Sequence, residues 1–182
     1  MRETLAQGTI RLRRYRPSDA MSLYESVHES IPELTKRGFY RVDYTVQDAI
    51  ADVRSNIRNW DMAQAYAYVI EETPGAMFVG QCRVEEIEYE HRNAALGWWV
   101  RTSCTGRGIA TAAARLVAQA AFEDLNLIRL NIYMVADNVA SRRVAEKIGG
   151  VLEGILRSQR IGPSGPIDCA VYGLLPTDLR LA

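Results

Sequence analysis

Two glycines separated by a single residue, Gly106 and Gly108, interrupt the chain between a segment typical of a strand and one typical of a helix. Residues 93–100 before them are rich in bulky apolar side chains, which favour a strand. After Gly108, apolar residues recur at helical spacing until about Phe122, and residues 128–135 are again typical of a strand. A strand, a helix and a second strand in this order predict a parallel crossover.

The other segments predict an α/β fold with a mixed sheet, and we expect residues 1–182 to form a single domain. Pro17 opens one helix, and the spacing of Thr45 and Asp48 predicts a capping box that opens a second. A further helix begins at Asn138 and ends at Gly149. Strands are predicted at residues 9–13, 65–70, 77–87, 151–156 and 168–174, with residues 162–166 as a hairpin connection between the last two.

Charge and composition disfavour several classes of protein. Basic and acidic residues number 22 each, so no net field draws the chain to nucleic acid or to an anionic membrane. Residues 1–10 lack the pattern of a secretory signal, and three widely spaced cysteines suit reduced thiols, so we expect a cytoplasmic protein. Only two histidines are present, which leaves little from which to build a metal site or a Ser-His triad. We therefore expect no metal.

The glycine segment has the chemistry of an anion-binding turn. Residues 101–115 include no acidic side chain, and two glycines let main-chain N–H groups converge on one point. The positive end of the following helix strengthens such a site, and the small residues at its start let a ligand approach closely. The segment therefore predicts a phosphate or pyrophosphate site built from Gly106, Arg107, Gly108, Ile109, Ala110 and Thr111.

Three other interpretations of this segment compete with a phosphate site. An ordinary turn before a helix needs no ligand at all. A nucleoside-triphosphate loop requires Gly-x-x-x-x-Gly-Lys-Ser/Thr, which is absent. A dinucleotide site requires a third glycine, where Thr111 stands, and an acidic residue about 20 positions further on, whereas Asp137 lies later. The dinucleotide interpretation is disfavoured but stays open.

Four short motifs stand along the second half of the chain: Leu-Gly-Trp-Trp-Val at 96–100, Thr-Gly-Arg-Gly-Ile-Ala-Thr at 105–111, Asn-Val-Ala-Ser at 138–141 and Glu-Lys-Ile-Gly at 146–149. Together they resemble the GCN5-related N-acetyltransferases, in particular the ribosomal-protein (RimJ/RimL-type) branch. The family pattern Gln/Arg-x-x-Gly-x-Gly/Ala is met at Gly108 and Ala110, but Thr105 stands where Gln or Arg is usual. The resemblance implies a central, mostly antiparallel sheet with one splayed parallel pair, flanked by helices.

The resemblance also implies acetyl-coenzyme A (acetyl-CoA) as acyl donor. Its pantetheine arm would lie between the splayed strands and pair with the main chain of Trp99 and Arg101. Trp99, Val100 and Arg101 therefore join the glycine segment as expected cofactor-binding residues, and Asn138 contacts the same molecule. Core packing under the sheet explains Trp99 equally well.

In the Rim-type branch, the residue that matches Ser141 is a serine held near the thioester sulfur as a proton donor. Asn138 and Ser141 lie three apart at a helix start and so share a face. The resemblance thus implies that Ser141 assists the leaving thiolate. An ordinary helix cap accounts for Asn138 without any ligand, and a plain first-turn residue accounts for Ser141.

Two catalytic positions of the family are changed. Ala95 stands where many relatives have a glutamate as general base, and Ala145 stands where others have a tyrosine as general acid. Glu86 is our substitute base, because it has the strand parity of Cys82 and Val84. A solvated acidic face explains the neighbouring glutamates as well.

We expect acetyl transfer to a primary amine, most of all the α-amine of a protein N-terminus. Two alternatives are a small-molecule acetyltransferase acting on an antibiotic or polyamine, and a non-catalytic acetyl-CoA sensor. Residues 31–44 lack a regular pattern and are expected to line the acceptor side, where their basic and aromatic side chains favour an acidic or peptide-like partner. A homodimer is an ordinary assembly for this family.

Overall fold

The computed structural model describes residues 1–36, 40–162 and 165–180, and within them eight strands form one sheet. The strands are β1 (Thr4–Gln7), β2 (Ile10–Arg14), β3 (Tyr66–Glu72), β4 (Met77–Glu88), β5 (Asn93–Val100), β6 (Arg129–Val135), β7 (Val151–Gly162) and β8 (Gly165–Leu174). The α-helices of these residues are α1 (Ala20–Lys36), α2 (Val46–Asp61), α3 (Ile109–Leu125) and α4 (Val139–Ile148). None of these helices is long and apolar enough to span a membrane.

The strand order is β1-β2-β3-β4-β5-β6-β8-β7. Neighbouring strands are antiparallel except for β5 and β6, which α3 connects in a parallel crossover. This arrangement confirms the mixed sheet with one parallel pair. It also places the glycine segment directly after β5, at the start of the crossover helix.

Helices cover both faces of the sheet. On one face, Leu23 of α1 and Val53 of α2 pack in a cluster that includes Trp99 of β5. On the other face, α3 and α4 pack against the sheet, and the small side chains of Ala114 and Ala118 let α3 lie close to the strands. The central strands are therefore buried between two apolar layers, whereas the edge strand β7 is mostly exposed.

Two helix ends form as the sequence predicts. At the start of α2, Thr45 Oγ1 accepts the Asp48 main-chain N–H at 3.2 Å, and the Asp48 carboxylate accepts the Thr45 N–H at 2.8 Å. At the end of α4, Gly149 has φ 108°, and a Cβ at this position would lie 1.8 Å from the Asp178 carbonyl oxygen. Only glycine fits there, because both the backbone angle and the close approach exclude a side chain.

Other segments differ from expectation. The strand β1 was not predicted, because Leu5 is its only buried residue and no alternating pattern arises. Strand β7 continues beyond residue 156 to Gly162, since it follows β8 along the edge of the sheet. Residues 31–36 are not irregular but continue α1 through Pro32, because the buried Leu34 anchors the last turn although proline donates no hydrogen bond. Residues 163–164 of the expected hairpin connection at 162–166, and residues 37–39 of the basic-aromatic segment at 31–44, lie outside the described residues.

Candidate active site

The two parallel strands pair over only part of their length. Residues 93–95 of β5 pair with residues 129–131 of β6, and no pairing of these strands is found among the described residues further along. Beyond that point a cavity of about 280 Å³ opens between them. Its walls are residues 95–98 of β5, residues 132–135 of β6, parts of β4, the start of α4, and Arg160 of β7. The parallel pair is therefore splayed, as expected.

The main-chain groups that face this gap differ from the expected ones. The Arg101 N–H donates to the Val79 carbonyl oxygen at 2.8 Å, toward β4 and away from the gap. Main-chain groups alternate in direction along a strand, so Trp99 also faces β4, whereas Trp98 and Val100 face the gap. The expectation that Trp99 and Arg101 offer main-chain partners in the gap is therefore wrong, because the Arg101 N–H and the Trp99 main-chain groups point toward β4.

The glycine segment forms an uncapped helix start that follows β5, one of the two splayed strands. Gly106 and Gly108 have φ of 77° and 81°, in the left-handed region that favours glycine. Gly108 is the N-cap of α3 and provides no side-chain cap. The first turn, Ile109 to Thr111, therefore leaves main-chain N–H groups without intrahelical partners. Together with the helix dipole, these groups suit an anion.

Contacts from α1 hold the chain that leads into this turn. The Glu29 carboxylate accepts a hydrogen bond from Arg101 Nε at 2.5 Å and from the Ser103 N–H at 2.9 Å. Ser30 Oγ accepts the Thr102 N–H at 3.0 Å. Partial burial acts to raise the pKa of Glu29, but the hydrogen bonds from Ser103 and Arg101 outweigh it and hold the pKa below its usual value. Helix α1 thus fixes residues 101–103 mainly through one ionised carboxylate.

Arg107 lies on the surface of the glycine segment. Its guanidinium forms an ion pair with Glu72 at the end of β3, and the side chain is half exposed. An exposed pair of this kind contributes little to stability and exchanges readily. Arg107 is therefore a cation close to the helix start whose present partner is a carboxylate.

Asn138 and Ser141 meet at the start of α4, and both line the cavity. Asn138 Oδ1 accepts the Ser141 main-chain N–H at 3.1 Å, which fixes the orientation of the amide. Its Nδ2 then donates to Ser141 Oγ at 2.8 Å. Asn138 is thus a helix cap and, in addition, a donor to the hydroxyl. Because Ser141 Oγ acts as acceptor in this contact, its own proton is available to donate into the cavity.

Glu86 also lines the cavity, although not for the reason expected. Cys82 and Val84 are fully buried on the α3 side, so simple alternation would have placed Glu86 with them. Instead, the register of β4 against β5 shifts between Glu85 and Glu88, and Glu86 has φ 52°. A bulge therefore re-aims this side chain. The parity argument was wrong because it assumed a regular strand.

Two further β4 residues, Arg83 and Glu85, line the same cavity and form an ion pair at 2.8 Å. Sequence reasoning missed both of them, and it also missed Arg160 of the distant β7. No local pattern marks any of the three, because their position depends on sheet order and on bulges. Ala95 lines the cavity as well, so the position of the family's usual glutamate does face the gap.

The Trp99 side chain lies away from the cavity. It packs against Tyr40 and Phe78 on the α1 and α2 side, with ring centroids 5.9 and 6.1 Å apart. Its Nε1 is buried without a hydrogen-bond partner in the part of the chain that the structure describes. Core packing, the alternative weighed for this residue, accounts for its side chain.

The gap, the glycine turn and the polar first turn of α4 define a transferase of the kind that holds an extended, phosphate-bearing acyl carrier between two splayed strands. In agreement, the model of the acetyltransferase (GNAT) domain matches residues 9–151, and the chain belongs to this family. It is an N-acetyltransferase. Among the described residues, no group of three or more His, Cys, Asp or Glu side chains is placed to hold a metal ion.

Similar proteins come from the same family. The Bacillus subtilis (strain 168) protein "Putative ribosomal N-acetyltransferase YdaF" is 29% identical over 170 residues, covering 91% of each chain. The structure of RimL, a ribosomal L7/L12 alpha-N-protein acetyltransferase in complex with coenzyme A, has a TM-score of 0.87 at 21% identity and covers 95% of this chain and 98% of its own. The microcin C7 self-immunity acetyltransferase MccE in complex with acetyl-CoA and AMP has a TM-score of 0.84 at 21% identity, with 93% of each chain covered.

Proposed function

We propose that the protein transfers an acetyl group from acetyl-CoA to the α-amine of a protein N-terminus. The observation that carries this proposal is the cavity between the splayed strands, which Ser141 lines. The uncapped start of α3, which follows β5 in the chain, supports it. Similarity to the Bacillus ribosomal N-acetyltransferase YdaF supports a ribosomal-protein acceptor, and similarity to RimL, an alpha-N-protein acetyltransferase, supports the α-amine of an N-terminus. The complexes of RimL and MccE support a coenzyme A donor.

In this proposal the donor lies along the gap. The pyrophosphate accepts hydrogen bonds from main-chain N–H groups of the segment from Gly106 to Thr111, with the cation of Arg107 nearby. The pantetheine amides form hydrogen bonds with the main-chain groups of Trp98 and Val100 that face the gap. These bonds take the place of the pairing that β5 and β6 lack here. The thioester then lies in the cavity beside Ser141.

The chemical step requires a neutral amine and a proton for the departing thiolate. An N-terminal α-amine has an ordinary pKa of about 8, so it needs little help to lose its proton. Glu86 is the carboxylate that we assign to this task. The amine attacks the thioester carbonyl carbon, the carbon–sulfur bond breaks, and the Ser141 hydroxyl donates a hydrogen bond to the sulfur as its charge develops. The attacking nitrogen loses its remaining extra proton to solvent, and the thiolate takes up one proton from solvent, so the products are the amide and the coenzyme A thiol.

We further propose that the protein acts in the cytoplasm. Cys82, Cys104 and Cys169 are buried free thiols, which suits a reducing compartment. A homodimer stays a prediction.

The test is release of free coenzyme A thiol from acetyl-CoA in the presence of peptides with free N-termini, the same peptides with blocked N-termini, polyamines and aminoglycosides. We expect thiol release with free N-termini only, and mass spectrometry should place the acetyl group on the α-nitrogen. Transfer to a polyamine or aminoglycoside would assign a small-molecule acceptor. Binding of acetyl-CoA without transfer to any amine would identify a sensor.

A further inference from the structure

One cation in the cavity has no ion-pair partner among the described residues. Arg160 of β7 lines the cavity wall, and no carboxylate among residues 1–36, 40–162 and 165–180 forms an ion pair with it. The other arginine of the cavity, Arg83, is paired with Glu85 at 2.8 Å. Of the two arginines that line the cavity, Arg83 therefore has an ion-pair partner among the described residues and Arg160 has none.

A distortion of β7 brings Arg160 to this place. Leu156 pairs with Cys169 and Arg160 with Ile167, so three residues of β7 stand opposite one of β8. Within this bulge, Ser158 has φ 52° and its N–H donates to Asp168 Oδ1 at 2.8 Å. Bulges bend a strand and re-aim the side chains beside them. The bulge turns the exposed edge strand so that Arg160 lines the cavity.

The positive charge of Arg160 also acts on its surroundings. Burial raises the pKa of the Cys169 thiol on the neighbouring strand, Arg160 opposes that rise, and Asp168 adds to it. The charge of Arg160 is therefore felt on the neighbouring strand. An anion in the cavity would meet the same field.

The opposite charge is present on the β4 side. Glu86 lines the cavity, and no ion pair involves it in the part of the chain that the structure describes. The cavity thus presents one uncompensated carboxylate and one uncompensated guanidinium on different strands. Such a pair complements a ligand that carries both a cationic amine and an anion.

We infer that the acceptor is a protein N-terminus with an acidic side chain next to it, whose carboxylate is bound by Arg160 while its amine lies toward Glu86. This inference rests on the proposed function and specifies its substrate class. A guanidinium binds a carboxylate through two parallel hydrogen bonds, which gives discrimination against the neutral amide. The role of Arg160 is therefore one of specificity and not of proton transfer.

The experiment compares peptides that differ only in residue two, as Asp, Asn or Lys, with wild-type protein, Arg160→Gln and Arg160→Glu. Wild type should use the Asp peptide with a kcat/KM about tenfold or more above the Asn peptide. Arg160→Gln should remove this preference through a higher KM for the Asp peptide, so that the Asp and Asn peptides are used about equally. Arg160→Glu should prefer the Lys peptide. Arg157→Gln is the matched control, because Arg157 is exposed on the same strand and does not line the cavity.

Several outcomes would overturn the inference. One is equal use of the Asp and Asn peptides by wild type, and another is an equal loss for all peptides in Arg160→Gln, which would place the cation at the thioester. Transfer to free aspartate but to no peptide would assign the carboxylate to a small molecule. Calorimetric binding of the same peptides to the coenzyme A complex separates this inference from the proposed function. Preference for the Asp peptide in binding, without any turnover, would refute only the proposed function.

Discussion

At the scale of single residues, one asparagine serves two purposes at the start of α4. Asn138 caps the helix through Oδ1 and holds the Ser141 hydroxyl through Nδ2. A cap and a catalytic contact are therefore not competing explanations for this residue. The amide keeps Ser141 Oγ in the acceptor role, so the serine proton is directed elsewhere.

We expect Ser141→Ala to reduce kcat while the KM for acetyl-CoA stays nearly constant. The hydroxyl is needed only as the thiolate leaves, and losing one such hydrogen bond costs about 2 to 4 kcal/mol of transition-state stabilisation. Asn138→Ala should also lower kcat and, in addition, destabilise the protein by about 1 kcal/mol through the lost cap. Steady-state kinetics and thermal melts measure both effects. Full turnover in Ser141→Ala with only a lower Tm would show that the proton comes from solvent.

Glu86→Gln tests the base. At neutral pH we expect kcat to fall by about ten- to a thousandfold, with acetyl-CoA affinity almost unchanged. Glu85→Gln is the matched control, since it removes the same charge from the same cavity but from a carboxylate already paired with Arg83. It should have a much smaller effect on kcat. Equal losses in the two variants would indicate a general effect of charge and not proton transfer at Glu86.

At the scale of elements, the glycine turn before α3 combines left-handed backbone angles with free space around the position of a Cβ atom. A Cβ at Gly108 would meet no protein atom within 4 Å, yet φ 81° strains any other residue. The open space is where we place the pyrophosphate, so Gly108→Val should abolish measurable acetyl-CoA binding and destabilise the protein by about 1 to 3 kcal/mol. Isothermal calorimetry and chemical denaturation give the two quantities.

Gly8→Val is the matched control for this strain. Gly8 lies between β1 and β2 with φ 58° and also has no atom within 4 Å of a Cβ. The variant should lose similar stability but keep full acetyl-CoA affinity. If Gly108→Val binds as well as Gly8→Val, the segment is merely a turn.

The Glu29 contact predicts a pH dependence for the loop that joins β5 to α3. The pKa of Glu29 is lower in the folded protein than its unfolded value of about 4.3, so the stability it contributes is present above that value and is lost as pH falls through the folded pKa. Glu29→Gln should therefore melt below wild type at pH 7, and the two should converge in acid, once the pH falls below the folded pKa of Glu29. Glu25→Gln, on the exposed face of the same helix, should match wild type throughout. A difference that persists in acid would contradict the assignment.

At the scale of the whole molecule, binding across the splayed strands links the two halves of the sheet. Acetyl-CoA should therefore stabilise the folded protein, by about 2.7 kcal/mol at 100 times its Kd, which corresponds to a rise in Tm of about 5 to 10 °C for a chain of this size. NAD and ATP should do much less. Differential scanning fluorimetry measures this, and equal protection by NAD would restore the dinucleotide interpretation.

The sequence alone was sufficient for features that depend on local order. Hydrophobic spacing predicted β5 and the crossover helix, the Thr45 and Asp48 pair predicted a helix start, and Gly149 predicted a helix end. Each of these is decided within a few residues, because caps, turns and strand propensity act over one or two turns of chain. The motifs of residues 96–149 were also sufficient for the family. That residues 1–182 form a single domain stays a prediction.

Only the tertiary structure decided which side chains share the cavity. Glu86 reaches it through a bulge in β4, and Arg160 reaches it through a bulge in β7, a strand separated from β5 by β6 and β8. The edge of β5 that faces the gap depends on the pairing of Arg101 with Val79, which no motif encodes. Register shifts and sheet order arise from contacts between segments far apart in the chain, so spacing along the sequence does not reveal them.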